Sequence, residues 1–162
     1  MRARPAREDA GAAREELSLR VWLRLLAATN VGVERLRRGL REQFEVTLPA
    51  FDLLAQVDRA PAGPTMSELS RRLMVTKGNV TDLVLRVEEK GLVERRPDER
   101  DGRVQHVHLT RAGEALLARM LPAHRAWLGE LMAGVDAARL AQLHDLLGEL
   151  KTQFLRLAER DR

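Results

Sequence analysis

The spacing of apolar positions changes several times along this chain, and each change marks an element. From Glu15 to about Phe44 they recur at steps of three and four: Trp22, Leu25, Leu26, Val33, Leu36, Leu40 and Phe44, with Thr29 in line, form one stripe of a long helix. Gly32 and Gly39 are the points where that helix is expected to bend. Thr47 then offers a capping hydroxyl and Pro49 is tolerated in a first turn, so a second helix is predicted through Phe51, Leu53, Leu54 and Val57. Ala60-Pro61-Ala62-Gly63-Pro64 reads as a loop.

The next stretch is the most informative. Thr65-Met66-Ser67-Glu68 is a capping box, a hydroxyl followed three residues on by a carboxylate. It opens a short helix with apolar positions at Met66, Leu69 and Leu73. Met74 and Val75 make a brief turn, Thr76 caps a further helix running to Lys90, and Gly91 sits where a helix end tolerates only positive φ cheaply. Two such helices joined by a short turn are a helix-turn-helix. Beyond Gly91 the period falls to two, in Leu92–Arg96 and again in Val104–Leu109, with the polar turn Pro97–Arg103 between them. A hairpin directly after the second helix of that motif is a wing.

Thr110 caps a third long helical region, with a stripe at Leu117, Leu121, His124, Leu128, Leu131 and Val135 and an expected kink at Pro122. Asp136 caps the last helix. Its Leu140, Leu143, Leu147, Leu150, Phe154 and Leu157 alternate in heptad steps and ask for another helix to pack against. The fold class is therefore mainly α with a small β-hairpin wing. Residues 47–110 make a winged helix-turn-helix domain, and residues 15–46 and 111–162 a helical dimerisation region built from both chain ends. Residues 1–14, rich in Arg and Ala without an apolar run, read as a flexible basic arm or a frayed terminus.

Composition narrows the chemistry only a little. In 162 residues, 28 Lys+Arg against 24 Asp+Glu leave a net charge of +4, which favours an anionic partner without naming one. There are no cysteines, so disulfides, thiolate metal sites and thiol sensors are excluded. No apolar run approaches the ~20 residues of a membrane span, and a cytoplasmic protein is expected. No carboxylate pair, Ser/His set or Gly-rich phosphate loop stands in a context that supports catalysis. No cofactor is called for. His106 and His108 share one strand face, but without a third ligand they make no metal site, and exposed strand histidines are the expectation.

The run Asp101-Gly102-Arg103-Val104-Gln105-His106-Val107-His108-Leu109-Thr110-Arg111-Ala112-Gly113 fits D-x-R-x-x-x-V-x-L-T-x-x-G. This is similar to the wing signature of the MarR (multiple antibiotic resistance regulator) family. Met66–Leu73, Val75–Thr81 and Glu88–Val93 resemble that family too, and the likeness spans about residues 15 to 158. It implies a homodimer that binds double-stranded DNA through paired winged-helix lobes and is released by a small, often aromatic and acidic, effector. Leu48–Leu54, Gly78–Thr81 and the His124/Trp127 pair resemble the branch that regulates aromatic-acid and hydroxycinnamate catabolism, some members of which answer to coenzyme A thioesters. The sequence departs from the family where the first of two wing arginines is Gly102. It departs again at Leu85, where relatives often carry Asp.

The second helix of the motif places Val80, Leu83, Val84 and Val87 on its core face and Asn79, Asp82 and Arg86 on the opposite stripe, with Thr76, Lys77 and Gly78 at its start. Residues near such a helix start read bases, and an Asn amide can pair with adenine. The family motif implies that Arg103 enters the minor groove with Asp101 holding its guanidinium. Arg96 and Arg100 are expected on phosphates. For the effector the candidates are Trp22, Arg24, Thr29 and His124, weighed evenly against a core Trp and a satisfied core His. The reading is a sequence-specific, effector-released repressor acting as a homodimer. The alternatives are a scaffold dimer that binds no DNA and a DNA-binding protein without a ligand.

Overall fold

The computed structural model describes the backbone of residues 5–160 and the side chains of residues 11–160. Eight elements follow in order: α1 (Pro5–Phe44), α2 (Leu48–Asp58), α3 (Met66–Leu73), α4 (Lys77–Glu89), β1 (Val93–Pro97), β2 (Gln105–Leu109), α5 (Arg111–Met132) and α6 (Ala137–Arg160). The strands form a two-stranded antiparallel sheet, in register from Val93 opposite Leu109 to Pro97 opposite Gln105. The fold is the expected one, mainly α with a hairpin wing.

Four hydroxyl caps set most of the boundaries. Thr47 accepts from the Ala50 N–H at 3.4 Å, Thr65 from Glu68 at 3.3 Å, Thr76 from Asn79 at 3.3 Å and Thr110 from Gly113 at 3.1 Å. Each supplies an acceptor to a helix-start N–H that has none inside the helix. Asp136 does the same for α6 through the Arg139 N–H, at 2.9 Å.

The chain divides into two compact units, one through Trp127 and one from Leu128. The first holds the core: Leu40 on α1, Val46 in the link that follows it, Phe51, Leu53, Leu54 and Val57 on α2, Leu69 on α3, four residues of α4, Val93 and Val107 of the hairpin, and Leu117, Met120 and Trp127 on α5. Each fully buried Leu among them stabilises the fold by about 1.5–3 kcal/mol. The second unit contains α6, which buries no residue within the chain.

One expectation is corrected. The first helix begins at Pro5 rather than Glu15, so residues 5–14 of the expected arm are helical backbone; residues 1–4 of it lie outside the described residues. Neither Gly32 nor Gly39 interrupts α1. Gly39 makes room: a Cβ there would fall 2.6 Å from the Trp127 indole. Helix α5 runs continuously through Pro122.

Candidate nucleic-acid interface

The helix-turn-helix is fixed by local bonds before any partner is considered. In the capping box the Thr65 N–H donates to Glu68 Oε2 at 2.8 Å while the Glu68 N–H returns a bond to the Thr65 hydroxyl. These contacts hold the Glu68 carboxyl below the usual carboxylate range. Met74 closes the turn in the left-handed region, φ 54°, and the Ser70 hydroxyl donates to the Val75 carbonyl at 2.7 Å. Then α4 buries Val80, Leu83, Val84 and Val87. Thr76, Lys77, Gly78, Asn79, Asp82 and Arg86, all predicted from the sequence, are left exposed.

Gly78, at the start of α4, faces open space. An added Cβ there meets nothing within 4 Å. No close backbone approach inside the protein requires the glycine. Arg86 also stands apart from the helix start. It lines an open pocket of about 510 Å³ together with Arg37, Arg41 and Lys90, over a floor that includes Leu48, Pro49, Leu83 and Val87.

The hairpin is joined to the helices at both ends. Arg95 pairs with Glu88 of α4 at 2.7 Å, and this contact lowers the Glu88 pKa. At the other end the Leu92 carbonyl accepts from the Thr110 N–H at 3.1 Å, while the Thr110 hydroxyl donates to the Gly91 carbonyl at 2.6 Å. A Cβ at Gly113 would lie only 2.0 Å from that Leu92 oxygen. The threonine and glycine of the wing signature therefore have one physical cause, the seating of α5 on the turn that leads into β1.

At the wing tip Asp98 is the organising group, and sequence reasoning missed it. Its Oδ1 accepts from the Arg100 N–H at 2.8 Å and the Asp101 N–H at 3.0 Å, and its Oδ2 lies 3.0 Å from His106 Nε2. The two backbone donors, then His106, hold its carboxyl below the ordinary aspartate value. The other ring nitrogen of His106 meets the Gly63 carbonyl at 2.8 Å. His106 is thus half-buried and doubly bonded, and the expectation of an exposed strand histidine is wrong for it. His108, also partly buried, has its pKa lowered, first by burial, and its ring sits where a Gly63 side chain would be. Among the described residues no group of three His, Cys, Asp or Glu could hold a metal ion.

Arg103 projects from this tip with 95 % of its side chain exposed. Asp101 accepts its backbone N–H at 3.1 Å and lies 3.6 Å from Nε, so it steadies the base of the side chain and leaves the guanidinium open. Arg100 is exposed beside it, and Arg96 is exposed but paired with Glu94.

The effector candidates are dispersed. Trp22, Arg24 and Thr29 lie on the exposed part of α1, and Arg20 nearby is paired with Glu16. His124 on α5 stacks on Phe51, ring centroids 4.5 Å apart, and burial lowers its pKa. Trp22 precedes Gly39 by about 26 Å of helix rise. Gly39 touches Trp127, one turn from His124. Trp22 and His124 of one protomer are therefore far apart.

Comparison with known proteins agrees with this geometry. The family model described as MarR family matches residues 44–104. An HTH-type transcriptional regulator of Bacillus cereus is 33 % identical, covering 66 % of this chain and 69 % of its own length. The transcriptional activatory protein BadR of Rhodopseudomonas palustris is 33 % identical, covering 80 % of this chain and 75 % of its own. The crystal structure of a MarR family transcriptional regulator from Silicibacter pomeroyi superimposes with a TM-score of 0.74 at 30 % identity, over 86 % of this chain and 97 % of that one. These relatives are regulators and not enzymes. On these matches the chain belongs to the MarR family of DNA-binding transcription regulators.

Proposed function

We propose that the protein binds a pseudo-palindromic operator as a homodimer, with Thr76, Lys77, Gly78, Asn79, Asp82 and Arg86 of the α4 region toward the major groove and Arg103 in the minor groove. The observation that carries this reading is the split of α4 and the wing into two faces. Val80, Leu83, Val84 and Val87 are spent on the core, while the polar side chains at the helix start and the Arg103 guanidinium face outward and are exposed. Arg96 and Arg100 would neutralise phosphates, with Asp101 steadying the tip. Residues 47–110 are the DNA-binding domain in this reading.

The helices flanking that domain supply the dimer. Leu143, Leu147, Phe154 and Leu157 of the α6 seam are 39–56 % exposed in the single chain, and Leu17, Leu23 and Leu26 of α1 are similarly open. A second copy is the economical cover for such self-complementary stripes. Two-fold symmetry then sets half-sites about 10 bp apart. The test is a gel shift against the DNA upstream of the chain's own reading frame, with footprinting of the bound site. A symmetric footprint supports the reading, and loss of all specificity over random DNA overturns it. A promoter fusion decides the sign of regulation, for which repression is the expected outcome. The regulator would act in the cytoplasm on chromosomal DNA.

The effector in this reading is an anionic aromatic acid, or its coenzyme A thioester, held between Trp22 and Arg24 of one protomer and His124 of the other. The distance between Trp22 and His124 within one chain makes the dimer a requirement for that site. A second location is favoured by one observation: the open pocket beside α4 is lined by Arg37, Arg41, Arg86 and Lys90 with no carboxylate among its lining residues. Titration of aromatic acids while following tryptophan emission separates the two. A ligand that releases DNA and quenches wild type but not Trp22→Phe sits at Trp22; one that releases DNA without touching Trp22 emission sits elsewhere.

A further inference from the structure

The wing is attached to the rest of the domain by more than strand pairing. On one side of β2 the Val107 N–H donates to the Pro64 carbonyl at 3.0 Å, and Thr65 forms an isolated bridge with His106. These bonds dock the hairpin on the loop between α2 and α3. The loop's turn is held by Gly63 at φ +77°, and its carbonyl points at His106 Nδ1, 2.8 Å away. The opposite ring nitrogen points at Asp98 Oδ2, 3.0 Å away.

Both partners of the ring are acceptors. A carbonyl has no proton to give, and Asp98 already accepts two backbone N–H groups on its other oxygen. Neutral imidazole carries a single N–H and can satisfy only one of these contacts, whereas imidazolium satisfies both. The site is thus built for the protonated ring.

We propose that His106 is a positioning residue for DNA binding: as a doubly donating imidazolium it ties the wing tip, through Asp98, to the α2–α3 loop and so sets where Arg100 and Arg103 meet the duplex. This rests on the reading that the wing contacts DNA. Asp98 is the pivot, because the carboxylate that holds His106 also fixes the Arg100 and Asp101 amides, and Asp101 in turn fixes the Arg103 amide. Loss of the ring proton removes one tie and lets the tip sample other positions.

The charged groups around the ring define the direction of the effect. Asp98 and Glu68 favour the proton, and the Gly63 carbonyl favours it most, so the His106 pKa is raised above the ordinary histidine value. Arg96 lies opposite on β1, His108 shares the strand face, and Glu99 and Arg100 line the same hollow. His108 is shifted the other way, by burial first. A group with a raised folded-state pKa contributes its tie fully below the unfolded value, about pH 6.5, and loses it as pH rises through the folded value. Operator binding should therefore weaken toward alkaline pH.

The experiment measures operator affinity of the full-length protein from pH 6 to pH 9 for wild type, His106→Gln, Arg103→Ala and the double variant. Wild type should lose affinity about tenfold across that range, the lower end of what one charge-assisted hydrogen bond contributes. His106→Gln should be weaker by a similar factor at pH 6 and flat with pH. In the Arg103→Ala background the His106 substitution should cost little, since there is less wing contact left to position. If Arg103→Ala leaves operator binding unchanged, the wing reading itself fails. If Arg103→Ala weakens binding while His106→Gln keeps the wild-type affinity and pH profile, the positioning role alone is overturned. A folding defect in the variant is bypassed by imidazole NMR on wild type: two ring N–H signals and a pKa above that of free histidine are expected, and a single tautomer titrating at or below it overturns the proposal.

Discussion

The winged-helix domain and the terminal helices use apolar residues in opposite ways. Between Thr47 and Thr110 the large apolar groups that sequence periodicity assigns to a core are in it: Phe51, Leu53, Leu54, Leu69, Val80, Val84 and Val107 are all nearly or wholly inaccessible. In α6 an equally regular stripe is not covered, and Leu143, Leu147, Phe154 and Leu157 remain open. The same contrast runs along α1, where Leu40 is buried but Leu17 and Leu23 are more than half exposed. Periodicity says that a face must be covered. It does not say by what. In the domain the cover is the same chain, and for the terminal helices the proposed cover is a second copy.

The strongest way to break that contrast is a charge in the open seam. Leu147→Asp should give a monomer at micromolar concentration by sedimentation, because a carboxylate cannot be buried in an apolar seam without a partner. Operator affinity should fall by about a hundredfold or more as the avidity of two linked half-sites is lost. The domain itself should keep its fold, since none of its core residues lies in α6. A dimer with unchanged affinity would show that the seam serves something else.

A glycine comparison probes the domain from inside. Gly113→Ala pushes a methyl group into the Leu92 carbonyl, 2.0 Å from the ideal Cβ position, where backbone has to move. A loss of about 2 kcal/mol is expected in denaturant unfolding. Gly78→Ala, whose Cβ meets nothing in the protein, should leave stability level or raise it by up to ~1 kcal/mol. If the α4 start lies against DNA, the same Gly78→Ala should nonetheless weaken operator binding. That pair of outcomes would assign one glycine to the fold and the other to DNA.

What could be read in advance follows the same division. The starts of α2, α3, α4 and α5 were legible because a threonine hydroxyl marks each of them, and the core face of α4 because its apolar spacing is unambiguous. The exposed set around Lys77 and Asn79 followed from that face by elimination. The start of α1 is not legible: the segment before Glu15 has helix-forming Ala, Arg and Glu but no apolar stripe to mark it. The room that Gly39 makes for Trp127 is not legible because the two are distant in sequence. The His106 tie was hidden for a related reason. Strand periodicity puts His106 on a face but does not reveal that a carbonyl 43 residues earlier is docked there. Asp98 carried the only local clue, an acidic residue in a turn that can accept from backbone two and three residues on.

The wing offers a smaller and sharper test. Arg103→Ala should reduce operator affinity by about 1–3 kcal/mol if the guanidinium reads a groove, with a loss that varies with the base pairs beneath the wing. A phosphate contact would give the same loss on every sequence and a shallower salt dependence. Equal losses on operator and random DNA would therefore move Arg103 from reading to anchoring, while leaving the domain fold and dimer untouched.

The smallest effect expected belongs to the capping box, where the chain supplies everything it needs. Glu68 accepts from both the amide and the hydroxyl of Thr65, and these bonds lower its pKa. A lowered folded-state value contributes stability that is complete above the unfolded pKa, near 4.5, and is lost as pH falls through the folded value. Glu68→Gln should therefore cost roughly 0.5–1 kcal/mol at pH 7, the scale of one exposed cap interaction, and the gap to wild type should narrow at an acidic pH below the folded-state value. Chemical denaturation at both pH values measures this directly. Because the contact is wholly local, the same gap should appear in the Leu147→Asp background. If it vanished there, the start of α3 would depend on dimerisation, and the division between a self-sufficient domain and partner-dependent helices would fail.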